Sequence, residues 1–94
     1  MTSRTLNLRS YNFEDPSNIP QEVELILDSF IAPFLQRRSV RLIIIVGKGI
    51  GSRRTIGGKN PLRYYTERYL NALQLPYRQG AYHEGQEGVI IVEF

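Results

Sequence analysis

The residues with chemical potential crowd into the middle third of this 94-residue chain. Gly47 to Lys59 reads GKGIGSRRTIGGK, with glycines at 47, 49, 51, 57 and 58 and the bases Lys48, Arg53, Arg54 and Lys59. Glycines let successive backbone N–H groups turn toward one anion, and the Ser52 hydroxyl can add a donor. The basic side chains, with Arg63 just beyond, can reach several phosphates at once. Asn60-Pro61 follows as a cap and first residue of a helix, whose N-terminal end adds positive potential. The formal net charge of +3 conceals this concentration. Residues 37–68 carry nine basic side chains against Glu67 alone, a local +8, while residues 1–36 carry −3 and residues 69–94 carry −2. A mobile connection with solvated arginines is the plainer reading. The coincidence of glycines, bases and a capped helix favours a phosphate-binding segment.

Two nucleotide motifs fail on spacing. A P-loop needs G-x-x-x-x-G-K-[ST], but Gly58-Lys59 is followed by Asn60 and Arg53 stands where the first glycine belongs. Gly47, Gly49 and Gly51 make G-x-G-x-G rather than the dinucleotide pattern G-x-G-x-x-G. A small anionic ligand in the loop stays open as a lesser reading.

Much chemistry is excluded by composition. The chain has no cysteine and one histidine, His83, so thiol nucleophiles, disulfides and multi-histidine metal sites are absent. His83 reads as a solvated loop residue beside Glu84 and Glu87. Neither that pair nor Glu14 and Asp15 is spaced as a magnesium site, so no cofactor is required and magnesium has no sequence support. No apolar run is long enough to span a bilayer and Met1 to Arg9 lacks a signal-peptide core, which gives a cytoplasmic expectation without membrane contact. Tyr64, next to Arg63, is the tyrosine best suited to stack on an unpaired base. Arg37, Arg38 and Arg41 can serve the dipole of the preceding helix instead.

The elements that must position these residues follow from periodicity. Thr5 to Arg9 alternates as a short strand, leaving residues 1–4 as a flexible tail and 5–94 as a single domain. A helix is expected from near Pro20, with Val23, Ile26, Leu27, Phe30, Ile31, Phe34 and Leu35 as its apolar stripe and a weakened last turn at Pro33. Val40 to Val46 is a β-branched run suited to a central strand covered on both faces. The helix from Pro61 should bury Leu62, Tyr65, Tyr69 and Leu73, with Arg63 and Glu67 paired on its outside. Tyr77 to Tyr82 and Val89 to Phe94 complete the chain as two strands. The order βαβαββ implies an α/β two-layer sandwich: a mixed four-stranded sheet with two helices.

VRLIIIVGKGIGSRR, PLRYYTERYL and the closing GVIIVEF together resemble the Smr (small MutS-related) domain family. Val46-Gly47-Lys48-Gly49 falls at that family's glycine turn, Leu62-Arg63 and Tyr69-Leu70 at its helix motif, and Leu6-Asn7-Leu8-Arg9 at its first-strand motif. The resemblance implies a fold similar to the C-terminal domain of bacterial initiation factor 3. It also implies binding of DNA or RNA, with structure-selective nicking in many members and action at ribosomes in some. Asn7 replaces the family's acidic residue, Arg9 its usual His or basic partner, and Val46 the His or Thr before the turn. Arg9 and Lys48 are then the candidate catalytic residues, through charge, with Asn7 marking the altered acid position. The candidate nucleic-acid contacts are Gly47, Lys48, Gly49, Gly51, Ser52, Arg53, Arg54, Lys59, Arg63 and Tyr64. The alternative is a non-catalytic adaptor that docks on a ribosomal or protein partner, with Glu22, Glu24 and Asp28 on an acidic first helix.

Overall fold

The computed structural model describes residues 2–11, 13, 16–47, 60–81 and 88–94. Among the described residues, six strands and α-helices follow in order: β1 (Thr2–Asn7), α1 (Ile19–Ile31), β2 (Val40–Ile45), α2 (Pro61–Ala72), β3 (Tyr77–Gln79) and β4 (Val89–Glu93). The strands form one mixed sheet in the order β1-β2-β4-β3, with β1 parallel to β2 and β4 antiparallel to both of its neighbours. The architecture is therefore α/β, with four strands and two helices.

The strongest sequence signal builds the centre. In β2, Val40, Leu42 and Ile44 are fully buried and join Val23, Leu27 and Ile31 of α1, Leu70 of α2, and Ile90 and Val92 of β4 in one core. The alternate residues Arg41, Ile43 and Ile45 are only half-buried. The expectation that β2 is covered on both faces holds in part: its core side is fully buried against the helices, and its other side carries a half-buried isoleucine row beside the buried Val89 and Ile91 of β4. That row is shielded sideways by cross-strand neighbours, since Ile43 pairs with Ile91 and Ile45 with Val89.

The structure alters β1 and the face of α2; in α1 the weakened last turn at Pro33 is present, but Leu35, counted in the apolar stripe, lies beyond the helix and is 47% exposed. Thr2, Ser3 and Arg4, read as a tail, pair with Val40, Arg41 and Leu42, so β1 begins before its hydrophobic pattern does. Ladder hydrogen bonds need no apolar side chains, which is why alternation missed this half of the strand. The expected strand end is instead a 3-10 turn, Leu8–Ser10, with Leu8 buried. Helix α1 tightens into a 3-10 turn over Ala32–Phe34, where Pro33 withholds a backbone donor.

Helix α2 buries Thr66, Glu67 and Leu70 and leaves Leu62, Tyr65 and Tyr69 half-buried against the core. Leu73 is 43% exposed. It caps the helix end rather than extending the stripe, because Gln74 turns into the left-handed region at φ 58°. Leu75 N–H then donates to Leu70 C=O and Gln74 N–H to Asn71 C=O, a Schellman closure made without glycine. The Arg63–Glu67 pair forms, but inside: Glu67 is 9% exposed. Tyr69 donates to the Asp28 carboxylate and ties α2 to α1. Burial first, and that carboxylate second, push the Tyr69 hydroxyl above the ordinary phenol range.

Candidate functional site

β1 and β2 both end at one edge of the sheet, where β4 begins, and α2 starts beside them. At this edge Gly47 is the pivot. Its φ of 80° is a left-handed conformation that favours glycine. A Cβ at this position would also meet Arg9 Cδ at 2.6 Å and Nε at 3.0 Å. The Arg9 stem therefore lies across the bare Gly47 backbone.

Three hydrogen bonds hold that backbone. Val46 N–H and Gly47 N–H both donate to Gly88 C=O, at 2.9 and 3.1 Å. Gly47 C=O accepts from Asn60 Nδ2 at 2.8 Å. The same Asn60 accepts from Arg63 N–H through Oδ1 at 2.8 Å, which caps α2. One side chain thus joins the first residue of the glycine-rich basic segment to the helix that follows it. The cap was legible from Asn60-Pro61. The second bond was not, because nothing local in the sequence signals a partner thirteen residues upstream.

Arg9 is aimed by a similar local device. Asn7 Oδ1 accepts from Arg9 N–H at 3.0 Å, and Ser10 Oγ donates to Asn7 C=O at 2.7 Å. Asn7 is thus the cap of the Leu8–Ser10 turn. Its amide oxygen is engaged with the backbone, and an amide carries no base. Arg9 itself is exposed, and among the described residues no carboxylate pairs with its guanidinium.

The structure thus brings Asn7, Arg9, Gly47 and Asn60 together. It gives Arg63 and Tyr64 other partners. Arg63 Nε donates to Glu67 at 3.0 Å and Nη2 to Gln79 Oε1 at 3.1 Å, tying α2 to β3. Tyr64 packs edge-to-face on Tyr65, with centroids 5.2 Å apart. Lys48, Gly49, Gly51, Ser52, Arg53, Arg54 and Lys59 lie outside the described residues, as do Glu14, Asp15, His83, Glu84 and Glu87. Among the described residues there is no group of three His, Cys, Asp or Glu side chains fit to hold a metal ion. No helix among them is long and apolar enough to cross a membrane.

Away from this edge, a groove of about 310 Å³ runs between α1 and α2, lined by Glu24, Tyr65, Arg68 and Tyr69. Sequence reasoning gave these residues no shared site. Comparison with protein-family models, curated proteins and solved structures yields no match to this chain.

Proposed function

We propose that this chain is a nucleic-acid-binding domain of Smr-like type, which grips phosphates with the basic segment anchored between Gly47 and Asn60. The observation that carries the reading is the exposed Arg9 lying over Gly47, without a carboxylate partner among the described residues, where a segment rich in glycine and cations begins. A cation already matched by a carboxylate gains little from a phosphate, whereas an exposed unmatched one exchanges released counterions for binding energy. In sequence, Lys48, Arg53, Arg54 and Lys59 add further cations after Gly47, and Gly49 and Gly51 are residue types that permit a close backbone approach. A fold similar to the C-terminal domain of bacterial initiation factor 3 belongs to the same reading.

The reading is one of binding. Cleavage needs a base as well as charge stabilisation, and the described residues offer only charge, through Arg9. The test combines Arg53→Ala, Arg54→Ala and Lys59→Ala in one variant and measures affinity for a hairpin RNA and a branched DNA. A loss of tenfold or more, about 1.4 kcal/mol, is expected for both ligands. Unchanged affinity overturns the proposal. Supercoiled plasmid and structured RNA, incubated with and without magnesium, test cleavage separately: product that disappears in Arg9→Ala would add catalysis to the reading.

A further inference from the structure

The two outer strands of the sheet are protected very differently. β3 has three residues, follows Pro76, and carries Arg78 bound to Glu93 at 3.0 Å. Shortness, a nearby proline and a pinned charge are the usual guards of a free edge. β1 has six residues, contains no proline or lysine, and carries one charge, Arg4. Beside it lies an apolar groove of about 410 Å³ lined by Leu6, Tyr11, Leu25, Ile26, Ser29 and Phe30. Leu25 is 67% exposed and Tyr11 46%, the rank of side chains that a finished surface normally avoids grouping.

We infer that the outer edge of β1 and this groove dock a second copy of the same chain, β1 against β1 in antiparallel register centred on Thr5. The backbone narrows that register. Thr2 N–H donates to Ser39 C=O, so Thr2, Arg4 and Leu6 point their backbone groups at β2. Ser3, Thr5 and Asn7 therefore point theirs outward. Antiparallel strands that keep both helix layers on one side must pair odd residues with odd ones. Centring on Thr5 lets the two Thr5 residues exchange both backbone bonds and sets Ser3 opposite Asn7. The alternative centre, Arg4, would place two guanidiniums directly opposite each other, which is repulsive.

Charge complementarity supports the Thr5 register. It sets Arg4 of one copy opposite Leu6 of the other, under Leu25 and one helical turn from Glu22, and the two-fold axis makes this contact twice. The Leu25 and Tyr11 side chains of both copies then cover the seam. The result is a continuous eight-stranded sheet.

Sedimentation equilibrium without nucleic acid tests this from about 1 to about 200 µM, a span suited to a standard-size interface. A monomer–dimer equilibrium is expected. Leu25→Glu, at an exposed position that should not disturb folding, should weaken it at least tenfold, and Thr5→Pro, which removes an outward N–H, should do the same. Glu22→Arg should weaken association, and adding Arg4→Glu should restore it. A monomer throughout the range overturns the proposal and leaves the edge for a different chain. A dimer indifferent to both Leu25→Glu and Glu22→Arg overturns it as well.

Discussion

Arginine is used in opposite ways at the two ends of the sheet. Where β4 ends, Glu93 stands between Arg41 and Arg78, at 3.5 and 3.0 Å, and their charges are largely answered within the fold. Where β1 and β2 end, Arg9 lies on Gly47 with no carboxylate among the described residues. Arg78 at one end and Arg9 at the other are both exposed. The difference is the partner, and it separates structural cations from cations available to a ligand. Counting basic residues along the chain cannot make that distinction. Arg41 and Arg63 belong to the +8 segment, yet both face glutamates.

The comparison can be broken by loosening each end in turn. Asn60→Ala should have the largest effect, since it removes both the α2 cap and the tie to Gly47. A loss of about 2 kcal/mol is expected, read as a lower denaturation midpoint in urea with an unchanged m-value. Asn60→Asp should recover part of it, because a carboxylate still caps the helix but cannot donate to Gly47 C=O. Full recovery in Asn60→Asp would mean that the Gly47 bond contributes nothing, and equal losses in both variants that the cap contributes nothing.

Gly47→Ala should cost about 1–2 kcal/mol from the left-handed backbone alone. It should also displace the Arg9 stem, so affinity for nucleic acid must fall further than stability explains. Full affinity in a folded Gly47→Ala protein would detach Arg9 from the site.

Tyr69→Phe should cost about 1 kcal/mol through the lost bond to Asp28. Its sharper signature is in pH. The folded hydroxyl titrates above the unfolded phenol, so its contribution is complete below about pH 10 and is lost as pH rises beyond that value. Alkaline denaturation at pH 9 and above should show a steeper loss of stability for the wild type than for Tyr69→Phe. Identical slopes would contradict the assignment.

The smallest effect belongs to the answered end. Glu93→Gln should change stability by less than about 1 kcal/mol, as for exposed pairs generally, and the change should shrink with salt.

How much of this was legible depends on whether the cause was local. The β2 run and the α1 stripe are dictated by side-chain burial, and both elements form where the pattern placed them except at Leu35, which lies beyond α1 and is exposed. The first half of β1 is held by backbone pairing to Val40–Leu42, which leaves no trace in hydropathy. The face of α2 was misjudged because Thr66 and Glu67 are inside while Leu73 is not, and a polar side chain can be buried when a neighbour such as Arg63 answers its charge. At the candidate site the glycine turn and the Asn60 cap were readable. The Arg9 stem on Gly47 was not, since it joins residues 38 positions apart and depends on two strands ending side by side.

The most direct measurement is the salt dependence of affinity for a fluorescent single strand of RNA, compared among wild type, Arg9→Ala and Arg78→Ala. Each lost phosphate contact should flatten the log–log slope by about 0.7. Arg9→Ala is expected to flatten it by one such step, and Arg78→Ala to leave it unchanged. Equal slopes for wild type and Arg9→Ala, or an equal flattening by Arg78→Ala, would contradict the assignment of phosphate binding to the Gly47 end.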